Sequence, residues 1–165
     1  MQRSAISVAV SDAGPLIALA RLDRLALLPA LFARTLVPEA VLDECTARPE
    51  LIDAARIGQA CDSGLLAVCV AAPIKAAHLG RGECSAIGKA LELGAALLAD
   101  DLAARRHAQA LGLTTIGTLG VLVEARRRGL LPEVRPLIEA LRAGGYWLGD
   151  DALRAALQAA GESEA

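Results

Sequence analysis

The 165-residue sequence predicts one α/β domain with a mostly parallel sheet and helices on both faces of that sheet. Apolar segments of strand length alternate with helical segments along most of the chain, as they do where crossover helices join parallel strands. Apolar residue types make up 55% of the chain, which gives most of it enough apolar surface to fold. Only Phe32, Tyr146 and Trp147 are aromatic, which excludes a base-stacking platform of several aromatic side chains.

Five segments are predicted to be strands, because each is a short apolar run bounded by turn-forming or polar residues. The third and fourth are apolar throughout, as expected of strands that are covered on both faces. In chain order, the predicted strands span residues 6–10, 35–37, 65–70, 95–99 and 114–116.

Helices are predicted between these strands, and their ends carry recognisable signals. Pro15 and Pro38 suit the first turn of a helix, where no backbone N–H is needed. Gly94, Gly112 and Gly129 follow helical segments, where glycine commonly ends a helix. The predicted helices span residues 15–21, 25–32 (with Asp23 as its N-cap), 38–46, 51–62, 83–93, 100–111, 117–128, 132–143 and 150–161. Residues 1–161 therefore form one domain, and residues 162–165 form a short polar tail.

Charge and cysteine content exclude several classes of function. The formal net charge is −2, whereas a protein that grips long duplex DNA through its phosphates is expected to be basic. Arginine clusters still allow binding to a short single-stranded backbone. The four cysteines form no C-x-x-C pair and there are only two histidines, so reduced thiols are expected rather than a zinc site.

The sequence gives no sign of export or of a membrane span. The first twenty residues are interrupted by Asp12, Gly14 and Pro15, so they lack the apolar core of a secretory signal. The longest apolar run, residues 65–74, is about half of the ~20 residues that a membrane-spanning helix needs. We therefore expect a cytoplasmic protein with no membrane partner.

Several acidic residues are predicted to meet at one edge of the sheet. Asp12 directly follows the first strand, and Asp100 and Asp101 directly follow the fourth. The carboxyl ends of parallel strands meet at one edge, where ligands bind in this class of fold. Glu44 borders the apolar face of its helix, and Glu83 opens the helix that follows a glycine-containing loop.

Such a cluster indicates a divalent metal site, because carboxylates a few ångströms apart raise each other's pKa unless a cation intervenes. An all-oxygen donor set favours Mg²⁺ or Mn²⁺, which can activate water for phosphodiester cleavage. Structural roles remain open for each acid: Asp12 or Asp100 as a helix cap, Asp101 as an ion-pair partner of Arg105, and Glu83 beside a helix N-terminus. Arg105 or Arg106 could hold a substrate phosphate.

Three stretches carry a resemblance to a known family: SDAGPLIALARLDRLALLPALF, LVPEAVLDEC and GRGECSAIGKALELGAALLADD. Together with the segments that follow, up to residue 162, they resemble the PIN-domain (PilT N-terminus) nucleases, in particular the prokaryotic branch described as nucleic-acid-binding proteins that contain a PIN domain. The resemblance implies a Rossmann-like three-layer α/β/α sandwich. It also implies a metal-dependent ribonuclease site made of acids from four places.

Carried over to this chain, the four acidic positions fall on Asp12, Glu44, Glu83 and the pair Asp100–Asp101. The family's usual Thr-x-Asp aligns Asp101 with the ligand and places Ala99 where the threonine would stand. Gly14 occupies a position that is often Ser or Asn. The resemblance further implies single-stranded RNA as substrate, a small antitoxin protein as partner and a homodimer.

These observations lead to two hypotheses from different classes. The first is a Mg²⁺- or Mn²⁺-dependent endoribonuclease, the toxin of a toxin–antitoxin pair, with its acidic carboxyl carbons within ~10 Å of one another. The second, motivated by Ala99 and Gly14, is a non-catalytic module that binds nucleic acid or a protein. A phospho-receiver domain is disfavoured, because it would need an acidic pair after the first strand and a lysine late in the chain. A dimer contact is expected through an early helix pair or residues 132–143.

Overall fold

The computed structural model describes residues 7–162, and its centre is a five-stranded, fully parallel sheet. The strand order is β3-β2-β1-β4-β5, which places β1 in the middle. The strands are β1 (Val8–Ser11), β2 (Arg34–Pro38), β3 (Ala67–Cys69), β4 (Ala96–Leu98) and β5 (Thr115–Ile116). Each overlaps a strand predicted from the sequence, although residue 6 of the first predicted strand lies outside the described residues.

The helices that connect the strands also follow the predicted order. They are α1 (Ala13–Arg21), α2 (Leu27–Leu31), α3 (Glu39–Cys45), α4 (Ile52–Asp62), α5 (Arg81–Leu93), α6 (Leu102–Ala110), α7 (Thr118–Arg127), α8 (Arg135–Ala143) and α9 (Asp150–Ala159). The predicted α/β fold with a parallel central sheet is confirmed.

The strand order determines where the site lies. The chain builds the sheet outward from β1 to β3, then returns to the other side of β1 for β4 and β5. Because parallel crossovers are right-handed, the connections on the two sides of this reversal lie on opposite faces of the sheet. Residues that follow β1 and β4 therefore flank the crevice at the reversal, which is where ligands bind in open α/β sheets.

The core is aliphatic, as the near absence of aromatic residues requires. The largest side chains with almost no exposed surface include Leu16, Leu28, Ile57, Ile87 and Leu122. These residues come from five different helices and belong to one hydrophobic core together with the strand residues Val10 and Leu98. They form a rigid support beneath the carboxyl edge of the sheet.

Three boundaries differ from the sequence prediction for local reasons. Asp23 adopts a left-handed backbone conformation (φ 55°), so it does not cap the second helix, which begins only at Leu27. Asp101, and not Asp100, is the N-cap of α6. Glu162, assigned to the tail by the sequence, accepts hydrogen bonds from the backbone N–H groups of Val134 and Arg135 at 2.6 and 2.9 Å. Glu162 is therefore bound to the start of α8 and belongs to the domain.

None of the helices in residues 7–162 combines the length and the apolar character that a membrane crossing would require.

Candidate active site

Asp12 is the buried centre of the acidic site. It stands between β1 and α1, is 6% exposed, and donates its backbone N–H to the carbonyl of Leu98 at the end of β4. Its side chain makes no capping hydrogen bond to α1, so the structural role left open by the sequence is not the one it performs. One carboxyl oxygen, Oδ1, is buried and accepts no hydrogen bond from residues 7–162. A buried acceptor without a donor is costly unless a ligand completes it.

The surroundings of Asp12 raise its pKa from 3.8 to about 7. Burial is the largest cause, because it disfavours the charged carboxylate. The negative charges of Glu83, Glu44 and Asp101 raise this pKa further, while the backbone amide of Ala13 lowers it. Three of the other predicted acids therefore act electrostatically on Asp12.

Glu44 reaches this edge from α3 and is fixed by a glycine on α5. Its Oε1 accepts a hydrogen bond from the backbone N–H of Gly82 at 3.0 Å. A Cβ atom at position 82 would overlap the Glu44 carboxylate, so this approach requires glycine. Glu44 is exposed to solvent. The sequence had predicted that it borders the apolar face of its helix, and that prediction is corrected here. The preceding Asp43 is also exposed and lies 4.0 Å from Arg81.

Glu83 combines a structural contact with its place in the site. Its Oε2 accepts a hydrogen bond from the backbone N–H of Gly80 at 2.9 Å, which closes the first turn of α5. The helix-start role that the sequence allows is therefore real. Of the three acids whose charges raise the pKa of Asp12, Glu83 has the largest effect.

Asp101 and Asp100 accept hydrogen bonds from different partners, and this gives them different roles. Asp101 caps α6 by accepting the N–H of Ala104 at 3.0 Å, and its charge acts on Asp12. Asp100 instead accepts from the backbone N–H and the hydroxyl of Thr118, at 2.7 and 2.6 Å, and from the hydroxyl of Tyr146. Both oxygens of Asp100 are thus used to join the end of β4 to α7 and to the loop before α9. We call this group, Asp100 with Thr118 and Tyr146, the Asp100 clamp.

The clamp explains two residues that sequence reasoning missed. Thr118 follows β5 at the same sheet edge, so its position after a strand was an available signal. Tyr146 comes 46 residues after Asp100, and no local pattern connects the two. Burial, followed by the charge of Asp100, raises the pKa of the Tyr146 hydroxyl, which therefore remains a hydrogen-bond donor.

The two candidate phosphate-binding arginines lie on α6 beside Asp101. Arg105 donates from Nη1 to the carbonyl oxygen of Ala99 at 2.9 Å, so it does not form the expected pair with Asp101. This bond holds the half-buried guanidinium at the carboxyl end of β4. Arg106 is exposed to solvent.

The donor set suits a hard divalent cation, but the carboxylates face backbone amides. In residues 7–162, no three acidic, histidine or cysteine side chains are close enough together, as oriented, to hold a metal ion. Glu44, Glu83 and Asp101 each direct one oxygen to an amide, and the other oxygen accepts no hydrogen bond from the described residues. With the unpartnered Oδ1 of Asp12, these free oxygens match the preference of Mg²⁺ and Mn²⁺ for carboxylate ligands.

Comparison with known proteins gives the family. A family model described as a PIN domain matches residues 8–162, and the chain therefore belongs to the PIN-domain family. This confirms the resemblance seen in the sequence. PIN domains are typically nucleases, and they generally use divalent metals.

Among solved structures, the chain is similar to a PilT N-terminus domain protein from the hyperthermophilic archaeon Sulfolobus solfataricus P2. The two share 18% identity, with a TM-score of 0.43, over 72% of this chain and 92% of the archaeal one. No curated protein sequence is similar enough to this chain to stand as a relative.

Proposed function

We propose that the protein is a divalent-metal-dependent endoribonuclease that cleaves single-stranded RNA. The observation that carries the proposal is the environment of Asp12: a buried carboxyl oxygen without a donor, next to three further acids whose charges act on it. Such an arrangement is unfavourable by itself and becomes favourable when a cation binds. Asp12, Glu44, Glu83 and Asp101 form the proposed metal-binding and catalytic set. Asp100 is left out because the clamp occupies both of its oxygens.

Each residue has a distinct part in the proposed reaction. Bound Mg²⁺ or Mn²⁺ would supply an activated water and neutralise charge on the phosphodiester. Asp12 anchors the site at the end of β1, and in the metal-free protein burial and the neighbouring acids raise its pKa to about 7, so that it exchanges a proton near neutral pH. Glu44 and Glu83 are each oriented by a backbone amide at the start of α5, that of Gly82 for Glu44 and that of Gly80 for Glu83. Asp101 completes the set from the start of α6.

Arg105 and Arg106 are the proposed contacts to substrate phosphate. Arg105 has one N–H committed to Ala99, which leaves the other donors of its guanidinium group for an anion. Arg106 is exposed on the same helix, where it adds a second positive charge.

The test is cleavage of a fluorescently labelled single-stranded RNA in the presence and absence of Mg²⁺ or Mn²⁺. We expect cleavage that requires metal in the wild-type protein and that is lost in Asp12→Asn and Glu83→Gln. Asp43→Asn is the matched control, because Asp43 precedes Glu44 but is exposed and only loosely paired with Arg81. Cleavage that persists equally in EDTA, or in Asp12→Asn, would contradict the proposal.

We extend the proposal to a toxin that is held inactive by a small antitoxin protein and that forms a homodimer. Membership of the PIN-domain family supports the toxin role. Exposed apolar side chains support a contact between copies, but they include Val68, Val70, Leu91 and Leu93 rather than residues of α8. Expression of the wild-type protein is expected to arrest bacterial growth, and expression of Asp12→Asn is not.

The second candidate function is a non-catalytic module that binds nucleic acid or a protein. The observation in its favour is that Glu44, Glu83 and Asp101 each already accept a hydrogen bond from a backbone amide. Binding of RNA without metal-dependent cleavage, and without any effect of Asp12→Asn, would favour this function.

A further inference from the structure

A groove of about 920 Å³ adjoins the acidic site on the side of the Asp100 clamp. It lies between α7 and α9 beside the edge strand β5. Small and aliphatic side chains form most of its surface, among them Leu119, Val123, Ala152 and Ala156. Asp101 also lines it, so the groove is continuous with the proposed catalytic set. Its volume is within the range of ligand-binding clefts.

Two arginines line this groove together with three carboxylates, each of which already has a partner within the protein: Asp100 in the clamp, Asp101 at the start of α6 and Glu124 with Arg128. Arg105 and Arg127 both line it, and neither forms an ion pair within residues 7–162. Glu124 lines it too, but its carboxylate is paired with Arg128 at 2.9 Å. Guanidinium groups of this kind are suited to phosphate groups.

Trp147 stands at the groove and is 86% exposed. It is the only tryptophan in the chain, and its neighbour Tyr146 is tied to Asp100 in the clamp. The clamp therefore fixes the loop that presents an indole ring to solvent. An exposed aromatic ring on an anchored loop beside arginines is the arrangement on which nucleobases stack.

We propose that this groove binds the single-stranded RNA next to the cleaved bond, with one nucleobase stacked on Trp147 and flanking phosphates at Arg105 and Arg127. This assignment rests on the proposed function for its class of ligand. It names a subsite of that function that adjoins the four acids through Asp101. The unpaired Arg105 and Arg127, the exposed Trp147 and the continuity with Asp101 favour an RNA strand over an apolar protein helix, which would match the aliphatic surface but leave both arginines without partners.

The fluorescence of Trp147 provides a test that does not depend on catalysis, because no other tryptophan contributes. The probe is a single-stranded oligoadenylate of about ten nucleotides, within the site sizes of single-strand binders. It is titrated into Asp12→Asn protein, in which cleavage is expected to be absent. We expect saturable quenching of the tryptophan emission, and none with an oligomer of the same length that lacks bases.

Substitutions separate stacking from general apolar contact. Trp147→Leu is expected to weaken binding about 5- to 100-fold as measured by anisotropy of a labelled RNA, and Trp147→Phe less. Arg127→Ala should weaken binding and reduce its salt dependence. Arg154→Ala should not, and is the control, because Arg154 is an exposed arginine on α9 that pairs with Asp151 and does not line the groove. Because Trp147 is largely exposed, these variants are expected to fold, which circular dichroism verifies.

Two outcomes overturn the inference: RNA that binds without quenching Trp147, or Trp147→Leu that binds RNA as tightly as the parent protein. If the wild type also cleaves RNA, the proposed function stands and only the subsite is wrong. Conversely, quenching and a Trp147→Leu effect without any metal-dependent cleavage would support the subsite and refute the proposed nuclease activity.

Discussion

Asp12 and Asp100 follow adjacent strands and lie at the same edge of the sheet, but they meet very different numbers of hydrogen-bond donors. Asp100 accepts three hydrogen bonds from Thr118 and Tyr146. Asp12 is more deeply buried, keeps one oxygen without a donor, and has a pKa raised to about 7. A carboxylate that the protein satisfies holds elements together, whereas one that it buries unsatisfied indicates where a ligand binds.

The difference also separates Asp100 from its neighbour Asp101. One residue belongs to a clamp that joins α7 and the loop before α9 to the sheet. The other caps α6 and adds its charge to the group around Asp12. Position after a strand brings an acid to the functional edge, but the donors it meets there decide its role.

Replacement of Asp101 or of Asp100 by asparagine is expected to give the largest effects. Asp101→Asn should lower RNA cleavage by more than the ~10–100-fold that loss of an outer partner of a metal ligand costs, with little change in stability. Asp100→Asn should instead lower the free energy of unfolding by about 2–4 kcal/mol, because charge-assisted hydrogen bonds are lost. Initial cleavage rates and urea unfolding of both variants measure this. If Asp101→Asn lost stability and Asp100→Asn lost only cleavage, the roles assigned to the two residues would be contradicted.

Removing the charge of Asp12 is expected to change stability in a pH-dependent way. The folded protein holds the Asp12 proton more tightly than the unfolded chain does, because its pKa rises from 3.8 to about 7. Asp12 therefore contributes stability to the fold that is fully present below about pH 4 and is lost as the pH rises through about 7.

Metal-free Asp12→Asn should therefore be more stable than the wild type above pH 7, by about 2–4 kcal/mol, since each pKa unit is worth about 1.4 kcal/mol. The advantage should shrink as the pH falls towards 4. Urea unfolding in EDTA at several pH values measures it. A difference that does not vary with pH would show that the Asp12 pKa is not raised.

A smaller effect is expected from Gly82→Ala, which tests the approach of Glu44 to α5. The added methyl group would overlap the Glu44 carboxylate and displace it. The helix gains about 1 kcal/mol of propensity from alanine, which offsets much of the strain in the free energy of unfolding.

We expect affinity for Mn²⁺ to fall about 10-fold in Gly82→Ala, as it does when the support of a metal ligand is disturbed. The matched control is Gly58→Ala in α4, where nothing lies within 4 Å of the added Cβ. Equal Mn²⁺ affinity in both variants would show that Glu44 is not part of the site.

Local sequence signals were sufficient for the strands and for the edge at which the acids collect. Each predicted strand overlaps an observed one, because an apolar run between turn residues depends on neighbours in sequence. Placing Asp12 and Asp101 after β1 and β4 needed only those strands and the rule that parallel strands end at one edge.

The choice between Asp100 and Asp101 could not be made in this way. It depends on Thr118 and Tyr146, which are 18 and 46 residues distant from Asp100 and meet it only in the folded chain. The hydrogen bond that orients Glu44 likewise comes from Gly82, 38 residues away in sequence.

The start of α2 was wrong for a local reason: Asp23 ends α1 in a left-handed conformation, in which its N–H donates to the carbonyl of Ala20 and the N–H of Arg24 donates to that of Leu19. Glycine usually takes this position, so the sequence carried no signal for it.

The most direct test of the central claim is calorimetric titration of Mn²⁺ into metal-free protein near neutral pH, with wild type, Asp12→Asn and the control Asp43→Asn measured side by side. The arrangement of acids around the buried Oδ1 of Asp12 predicts saturable binding to the wild type and to Asp43→Asn, and its loss in Asp12→Asn. Equal binding by all three proteins, or no binding by the wild type at millimolar Mn²⁺, would contradict a metal site built on Asp12.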